Sequence, residues 1–510
     1  MGNCTTSKGK NINNSRAQLS IKILDKRRKI SKSTGMSYIQ VSENYKYPKM
    51  DVGTSIVNIH KIYNLNGKVI GKGHFGSVVL AQQIKAPHAV FVAKIIEKAE
   101  LREDIDYVIS ELNLMRDTDH PNIIKFCETY SSKERLYIIM EYLEGGTLKE
   151  YQKTKGVINE IEAREIVFQM CLAINHLHEK TVAHRDIKLD NFLFKRRGSL
   201  EIKLIDFGLA KNYSKSLMSS HIGTPYYASP EILLNQVYDE RCDEWSLGIA
   251  IYKMLTGHYP FSGNDAHELF ANITLENYDA RLLKPLSTNA QKFIKSLLIK
   301  NPAKRKKVRE LLHHPWLNSY HLDLCRMNFR IVDDGIFDNI VSIIKINAFG
   351  IQLLKVLLIF FSPPSDYNKA TKAFFCADYS LTGFVTSKGL VKFFYEHGKN
   401  LVQSTLDEIM KSLCLFEEGF ITSSEFVIAA INRYDWIVSQ KLVPRLFNFL
   451  DVDNSSHVTI DNLKELFKRF GFLIDKSYIE KLITFMGADA VHNGFDLNTF
   501  EKFVYANFFQ

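Results

Sequence analysis

The segment HRDIKLDN (184–191) places an acid, a base and an amide close together: Asp186, Lys188 and Asn191. A carboxylate at Asp186 can accept the hydrogen bond of a substrate hydroxyl. The Lys188 ammonium can neutralise a moving phosphoryl group, and the Asn191 amide oxygen can ligate a metal ion. Downstream, DFG places Asp206 to hold Mg2+ across phosphates. Upstream, IGKGHFGSV (Ile70, Gly71, Lys72, Gly73, His74, Phe75, Gly76, Ser77, Val78) has the form G-x-G-x-x-G-x-V. Glycines let a backbone cover phosphates closely. A dinucleotide-binding turn has a similar form but opens a helix. Here SVVLAQQI continues in β-branched residues, so the glycines belong to a hairpin between two strands. Next, Lys94 in FVAKII sits on a strand, ready for α- and β-phosphates, and Glu111 in VISELNLMR sits on a helix able to pair with it. Phosphoryl transfer needs positioning and charge neutralisation more than covalent chemistry, and this set supplies both.

These residues need a scaffold. The chain has 510 residues, long enough for two to four domains. It is 45% hydrophobic and 24% charged, ordinary for a soluble globular protein. Residues 1–59 read as a flexible basic arm. Residues 60–317 read as strands first and then mostly helices. Residues 318–365 form a basic-apolar connector ending in SPPSD, where Pro363 and Pro364 stop a helix and Ser365 or Asp366 can cap the next. Residues 366–510 alternate helix-like, Phe-rich stretches with short loops, as an internal repeat does. The apolar run 340–361 is interrupted by Lys345 and Lys355, which argues against a membrane span. Seven cysteines are scattered singly, so neither zinc nor a disulfide framework is expected, and a reducing cytoplasm fits. The net charge is +10, and the arm carries a basic cluster of Lys26, Arg27, Arg28, Lys29 and Lys32, suited to an acidic membrane surface or nucleic acid. A solvated tail is the plainer reading of such a cluster, but MGNCTT favours the membrane: Gly2 with Thr6 fits N-myristoylation and Cys4 is placed for palmitoylation. One acyl chain holds a membrane only marginally, and a second chain or basic cluster makes it stable. The expected location is therefore the cytosolic face of a membrane, with no nucleic-acid partner.

With GTPYYASPE (223–231) at the spacing of an activation segment, every motif of 60–317 falls in the order of the eukaryotic protein-kinase family, which this region resembles. Lys188 and the GTP before SPE point to its serine/threonine branch. The resemblance implies ATP as donor, Mg2+ as cofactor and protein hydroxyls as acceptors. It casts Met140 as gatekeeper, EYL (141–143) as the hinge that bonds adenine through Glu141 and Leu143, and Val92 and Leu193 as further pocket residues. It casts Glu231 and Arg305 as a buried pair, Asp243 as an anchor of the catalytic loop, and Ser220 as an activating phosphosite that Arg185 can hold. Three positions depart from the family pattern: Val92 stands where Ala is usual, Thr147 where many basophilic relatives have Glu, and Ser229 where Ala is usual. None removes a phosphate or metal ligand. The rival readings are a catalytically silent scaffold, against which intact Lys94, Asp186 and Asp206 speak, and a weak calcium-sensing binding protein, against which the incomplete loops described below speak.

Kinase, connector and Phe-rich repeat in this order resemble the calcium-dependent protein kinases, in which a connector helix is held by a calmodulin-like tail. The implied fold is α+β: a bilobal kinase followed by an all-α EF-hand region. The four loops are incomplete. DYSLTGFVTSKG (378–389) keeps Asp378, Ser380, Thr382 and Gly383 but has Gly389 at position 12. CLFEEGFITSSE (414–425) keeps Gly419 and Glu425 but has Cys414 and Phe416 at positions 1 and 3. DVDNSSHVTIDN (451–462) keeps Asp451, Asp453 and Ser455 but has Ser456 in place of the turn glycine and Asn462 in place of the bidentate glutamate. The fourth, DAVHNGFDLNTF, has lost most of its acids. Calcium affinity is expected to be roughly millimolar or weaker. Val385 with Ile421 and Val458 with Phe495 are expected to bridge paired loops.

Overall fold

The computed structural model describes residues 58–73, 76–85, 89–101, 105–212, 225–329, 332–361, 363–414, 419–470 and 494–508. Gly2, Cys4, the basic cluster, His74, Phe75, Ser220 and most of the fourth loop lie outside the described residues.

Five antiparallel strands, β1 (Tyr63–Gly73), β2 (Gly76–Gln83), β3 (Val90–Glu97), β4 (Phe126–Ser131) and β5 (Arg135–Glu141), form a sheet in the order β1-β2-β3-β5-β4. Successive side chains of a strand point to opposite faces. Here the two faces feed different cores. Val92, Ile96, Leu136, Ile138 and Met140 pack with Val108, Leu112 and Met115 of α1 (Ile105–Arg116). The same core continues into the helical lobe, built on α2 (Glu160–Glu179) and α3 (Arg241–Thr256). The alternate residues Val79, Ala81, Phe91, Ala93, Tyr137 and Ile139 pack instead with the connector and tail.

In the connector, α4 (Asp334–Ser342) and α5 (Ala348–Phe360) are capped by Asp333 and Asn347, whose side chains accept from the Ile336 and Gly350 amides. The Phe360 ring lies 5.5 Å from Phe91 on the sheet. The tail follows as α6 (Tyr367–Ala377), α7 (Ser387–Glu396), α8 (Gln403–Leu413), α9 (Ser423–Ala430), α10 (Leu442–Leu450), α11 (Ile460–Arg469) and α12 (Leu497–Phe508). Asp366 occupies the N-cap of α6 but makes no side-chain cap there, because its carboxylate accepts instead from the Asn432 amide at 2.8 Å. The loop pairing expected from the sequence is present, with Val385 opposite Ile421 and Val458 opposite Phe495. Leu446, Phe447, Leu450, Leu463, Leu466 and Phe467 are all buried. Among the described residues no helix is long and apolar enough to cross a membrane.

Candidate active site and calcium loops

The glycine motif is a hairpin: Gly73 faces Gly76, Lys72 faces Ser77 and Gly71 faces Val78. A Cβ on Gly76 would lie 1.9 Å from the Ile95 carbonyl oxygen, so no other residue fits there. On the neighbouring strand Lys94 is buried, and its Nζ lies 2.6 Å from Glu111 Oε1 on α1. The other Glu111 oxygen is buried without a hydrogen bond. A Cβ built on Gly208 would come 3.8 Å from that oxygen and 3.2 Å from Asp206 Oδ1, so α1 and the DFG segment meet. Val92, Met140 and Leu143 belong to one large apolar core, with Val78 and Leu193 packed against it, and Val92 faces Met140 across the strand pair. Ile70 is not part of it and is 45% exposed. Glu141 turns its side chain to the far side of the hinge, where Lys203 Nζ and the Lys125 amide each donate to it at 2.6 Å.

The catalytic loop is fixed from below. Asp243, fully buried on α3, accepts from the His184 and Arg185 amides at 2.8 and 2.7 Å and from His178 Nε2 at 2.9 Å. Burial works against charge on His178, but Glu244 and Asp243 outweigh it and push its pKa up to about 10. Asp243 is correspondingly held below the ordinary carboxylate range, since the hydrogen bond and charge of His178 outweigh its own burial. His178 is not legible in the sequence: nothing in a lone histidine near a helix end shows that two buried acids meet it. Above this anchor, Asp186 Oδ2 accepts from Lys188 Nζ at 2.7 Å and from Asn191 Nδ2 at 2.9 Å. Asn191 also donates to the Asp186 carbonyl, so its amide oxygen is the atom left to serve a metal. Asp206 is exposed with φ 65°, while Phe207 is buried beside His184. Among the described residues no three His, Cys, Asp or Glu side chains converge on one point. Two hard oxygen donors, Asn191 and Asp206, still fit a magnesium ion that completes its shell with phosphate oxygens and water. Glu231 and Arg305 form a buried bidentate pair at 2.8 and 3.1 Å. Arg185 is buried and already donates to the Leu209 carbonyl and the Tyr238 hydroxyl.

The calcium loops satisfy themselves. In the first, Asp378 accepts from Ser380 Oγ, the Thr382 amide and hydroxyl, and the Gly383 amide, at 3.1, 3.2, 3.5 and 2.6 Å. Burial pushes its pKa up to about 6 against those bonds. A Cβ on Gly389 would lie 2.7 Å from the Ala377 carbonyl oxygen, so a position-12 glutamate does not fit the present backbone. In the third loop Asp451 accepts from Ser455 N and Oγ and from Ser456 N, and Asp453 accepts from Ser455 N. Ser456 takes the left-handed turn with φ 65° despite its side chain. Asn462 is spent in a capping box with Thr459. Outside this loop, Lys85 of the small lobe donates to the Asn448 carbonyl at 2.8 Å and to Asn454 Oδ1 at 2.9 Å.

A family model described as the protein kinase domain matches residues 63–317. Calcium-dependent protein kinase 3 of Plasmodium berghei is 32% identical over 438 residues, covering 83% of this chain and 76% of that relative. Calcium-dependent protein kinase 4 of Plasmodium falciparum is 28% identical over 465 residues, covering 85% and 86%. A probable serine/threonine-protein kinase, MARK-A of Dictyostelium discoideum, is 36% identical over 255 residues, covering 49% of this chain and 24% of its own. Fold, motifs and relatives define the class as serine/threonine protein kinases. Within it, the chain belongs to the calcium-dependent protein kinase type, using ATP and Mg2+ to phosphorylate proteins.

Proposed function

We propose that transfer runs through Asp186, which orients the acceptor hydroxyl, with Lys188 beside the moving phosphoryl group and Lys94, held by Glu111, on the donor phosphates. Asn191 and Asp206 would hold Mg2+, which would supply charge neutralisation on the phosphates. The tail of this kinase is docked with little or no help from calcium, and the arm tethers the enzyme to the cytosolic face of a membrane through Gly2, Cys4 and the basic cluster. The observation that carries the calcium reading is the set of hydrogen bonds within the first and third loops: each acid expected to bind calcium already bonds to loop donors. A ligand shifts a conformational equilibrium only by its differential affinity for the two states, so a nearly empty loop shifts nothing. Kinase activity in micromolar calcium and in chelator is therefore expected to differ by less than about twofold. A large calcium stimulation rejects the reading. For the membrane tether, Gly2→Ala is expected to move the protein to the soluble fraction, and unchanged fractionation rejects it.

A further inference from the structure

The second loop retains one calcium-type residue that the chemistry above does not explain. Position 12 of such a loop is a glutamate that grips the ion with both oxygens and draws the exiting helix toward the loop. Glu425 is that residue, and it is buried. One of its oxygens, Oε2, accepts from the Thr422 amide in a capping box. The other, Oε1, lies 2.7 Å from Lys355 Nζ, and the side chains are only 16% and 3% exposed. Lys355 comes from α5, in the middle of the apolar run of the connector. Positions 1 and 3 of the loop are Cys414 and Phe416, whose side chains offer no oxygen. A buried carboxylate without a cation is costly, and a loop with no side-chain oxygen at positions 1 and 3 is poorly equipped to hold a metal one.

The kinase lobe joins the same node. Asp119 accepts from Ser424 N and Oγ at 3.1 and 2.9 Å, and Lys125 Nζ donates to Asp119 and to Ser424 Oγ, both at 2.8 Å. Burial of Asp119 works against its charge, but Lys125 and then Lys355 outweigh it, so Lys355 is felt on both sides of the interface. Two ammoniums therefore face two carboxylates, with one residue from the connector, Glu425 and Ser424 from the tail, and Asp119 and Lys125 from the kinase.

We propose that the Lys355 ammonium stands in for the calcium of the second loop, so that connector, tail and kinase are clasped at one charge-balanced node without metal. The clasp gives a physical cause to the calcium-free docking read above, on which it rests. It also explains the one charged residue of the connector helix α5, and a glutamate kept in a loop that offers no side-chain oxygen at positions 1 and 3.

Hydrogen exchange of the full chain tests it, read at 348–360 in calcium and in chelator, with α2 as internal reference. Wild-type protection of 348–360 is expected to be equal in both conditions. Lys355→Met and Glu425→Gln are each expected to lower it at least tenfold while α2 stays protected, and added calcium is expected not to restore it. The exchanged pair Lys355→Glu/Glu425→Lys is expected to regain most of the loss, which a merely structural defect would not. Unchanged protection in both single variants overturns the clasp, as does rescue of either by calcium. Wild-type protection that collapses in chelator overturns instead the calcium-free reading beneath it, so the two failures are told apart.

Discussion

Asp186 owes its orientation to its neighbours. With Oδ2 committed to Lys188 and Asn191, the carboxylate has a fixed direction toward an incoming hydroxyl. Asp186→Asn retains the shape but loses the acceptor charge. Lys94→Met removes the phosphate contact and leaves Glu111 with no cation. A positioned acid-base group contributes about 10^2–10^4 in rate, and Asp186→Asn is expected to lose on that order. Lys94→Met is expected to lose at least as much, because the donor phosphates go unheld. A transfer assay on a generic protein substrate, with a thermal melt alongside, checks this. Substantial transfer in either folded variant would sink the assignment of these residues. At the same scale, Ser456 holds a left-handed backbone that costs a non-glycine residue about 1–2 kcal/mol. Ser456→Gly is therefore expected to raise the stability of the tail by about 1 kcal/mol, measured by denaturant unfolding.

At the scale of elements, α2 does two tasks. Its C-terminal end carries His178 under the catalytic loop, and one turn earlier Asn175 and His176 grip the first calcium loop, at the Leu381 and Thr382 carbonyls, 2.7 and 2.9 Å away. Gly383 of that loop is pressed so closely that a Cβ would lie 2.4 Å from His176 and 2.5 Å from His120. Burial, then nearby positive charge, lowers both histidines: His176 falls from 6.5 to about 3 and His120 well below its ordinary value. A histidine whose pKa is depressed on docking binds fewer protons in the docked state. Its contribution is complete above the ordinary value of 6.5 and lost as pH falls below it. At pH about 5.5 His176 costs about 1.4 kcal/mol, and His120 acts in the same direction. Asp378, raised to about 6, runs the other way, because the docked carboxyl takes up a proton first. It returns less than about 1 kcal/mol at that pH. The histidines win, so docking of the first loop is expected to weaken between pH 7.5 and about 5.5. Hydrogen exchange at 378–384 measures it, and protection that rises on acidification refutes the assignment. The elements themselves were largely legible. β-branched runs after the glycine motif and around Lys94 read as strands, the glycine motif as their hairpin, and apolar faces as the tail helices, because each depends on neighbours in sequence. The residues proposed for phosphate and metal stand in local motifs for the same reason. The partners of Lys355, His176 and Arg469 were not legible. Arg469 meets Tyr130 across a separation of 339 residues, and no local pattern says which distant charges meet.

The molecule as a whole is not a kinase with an appended tail, because the two share a core. One face of the sheet is completed by α1 and the helical lobe, and the other by the connector and tail. At the edge of that second face stands a charge pair with almost no solvent contact. Arg469 of α11 donates to the Tyr130 hydroxyl at 2.7 Å and sits 3.5 Å from Glu128 Oε2, an ion-pair contact rather than a hydrogen bond. Tyr63 and Tyr130 donate to the other Glu128 oxygen at 2.6 and 3.1 Å. Burial pushes the Glu128 carboxyl up, and the charge of Arg469 is the first influence opposing it. Removing one member of a buried pair is costly because the other is left uncompensated, about 3–5 kcal/mol. Replacing both by groups of similar volume is often neutral. Arg469→Met is therefore expected to loosen the tail by that amount, and Glu128→Gln/Arg469→Met to recover most of it. Loosening bares Phe91 and Tyr137 on the strands that also carry Lys94 and Met140. The KM for ATP is accordingly expected to rise in the single variant and return in the double. Limited proteolysis of the tail, read beside that KM, decides the matter. A tail that stays resistant in Arg469→Met while the KM rises would show that Arg469 acts locally on β4. A loosened tail with an unchanged KM would show that the sheet keeps its form without its second cover.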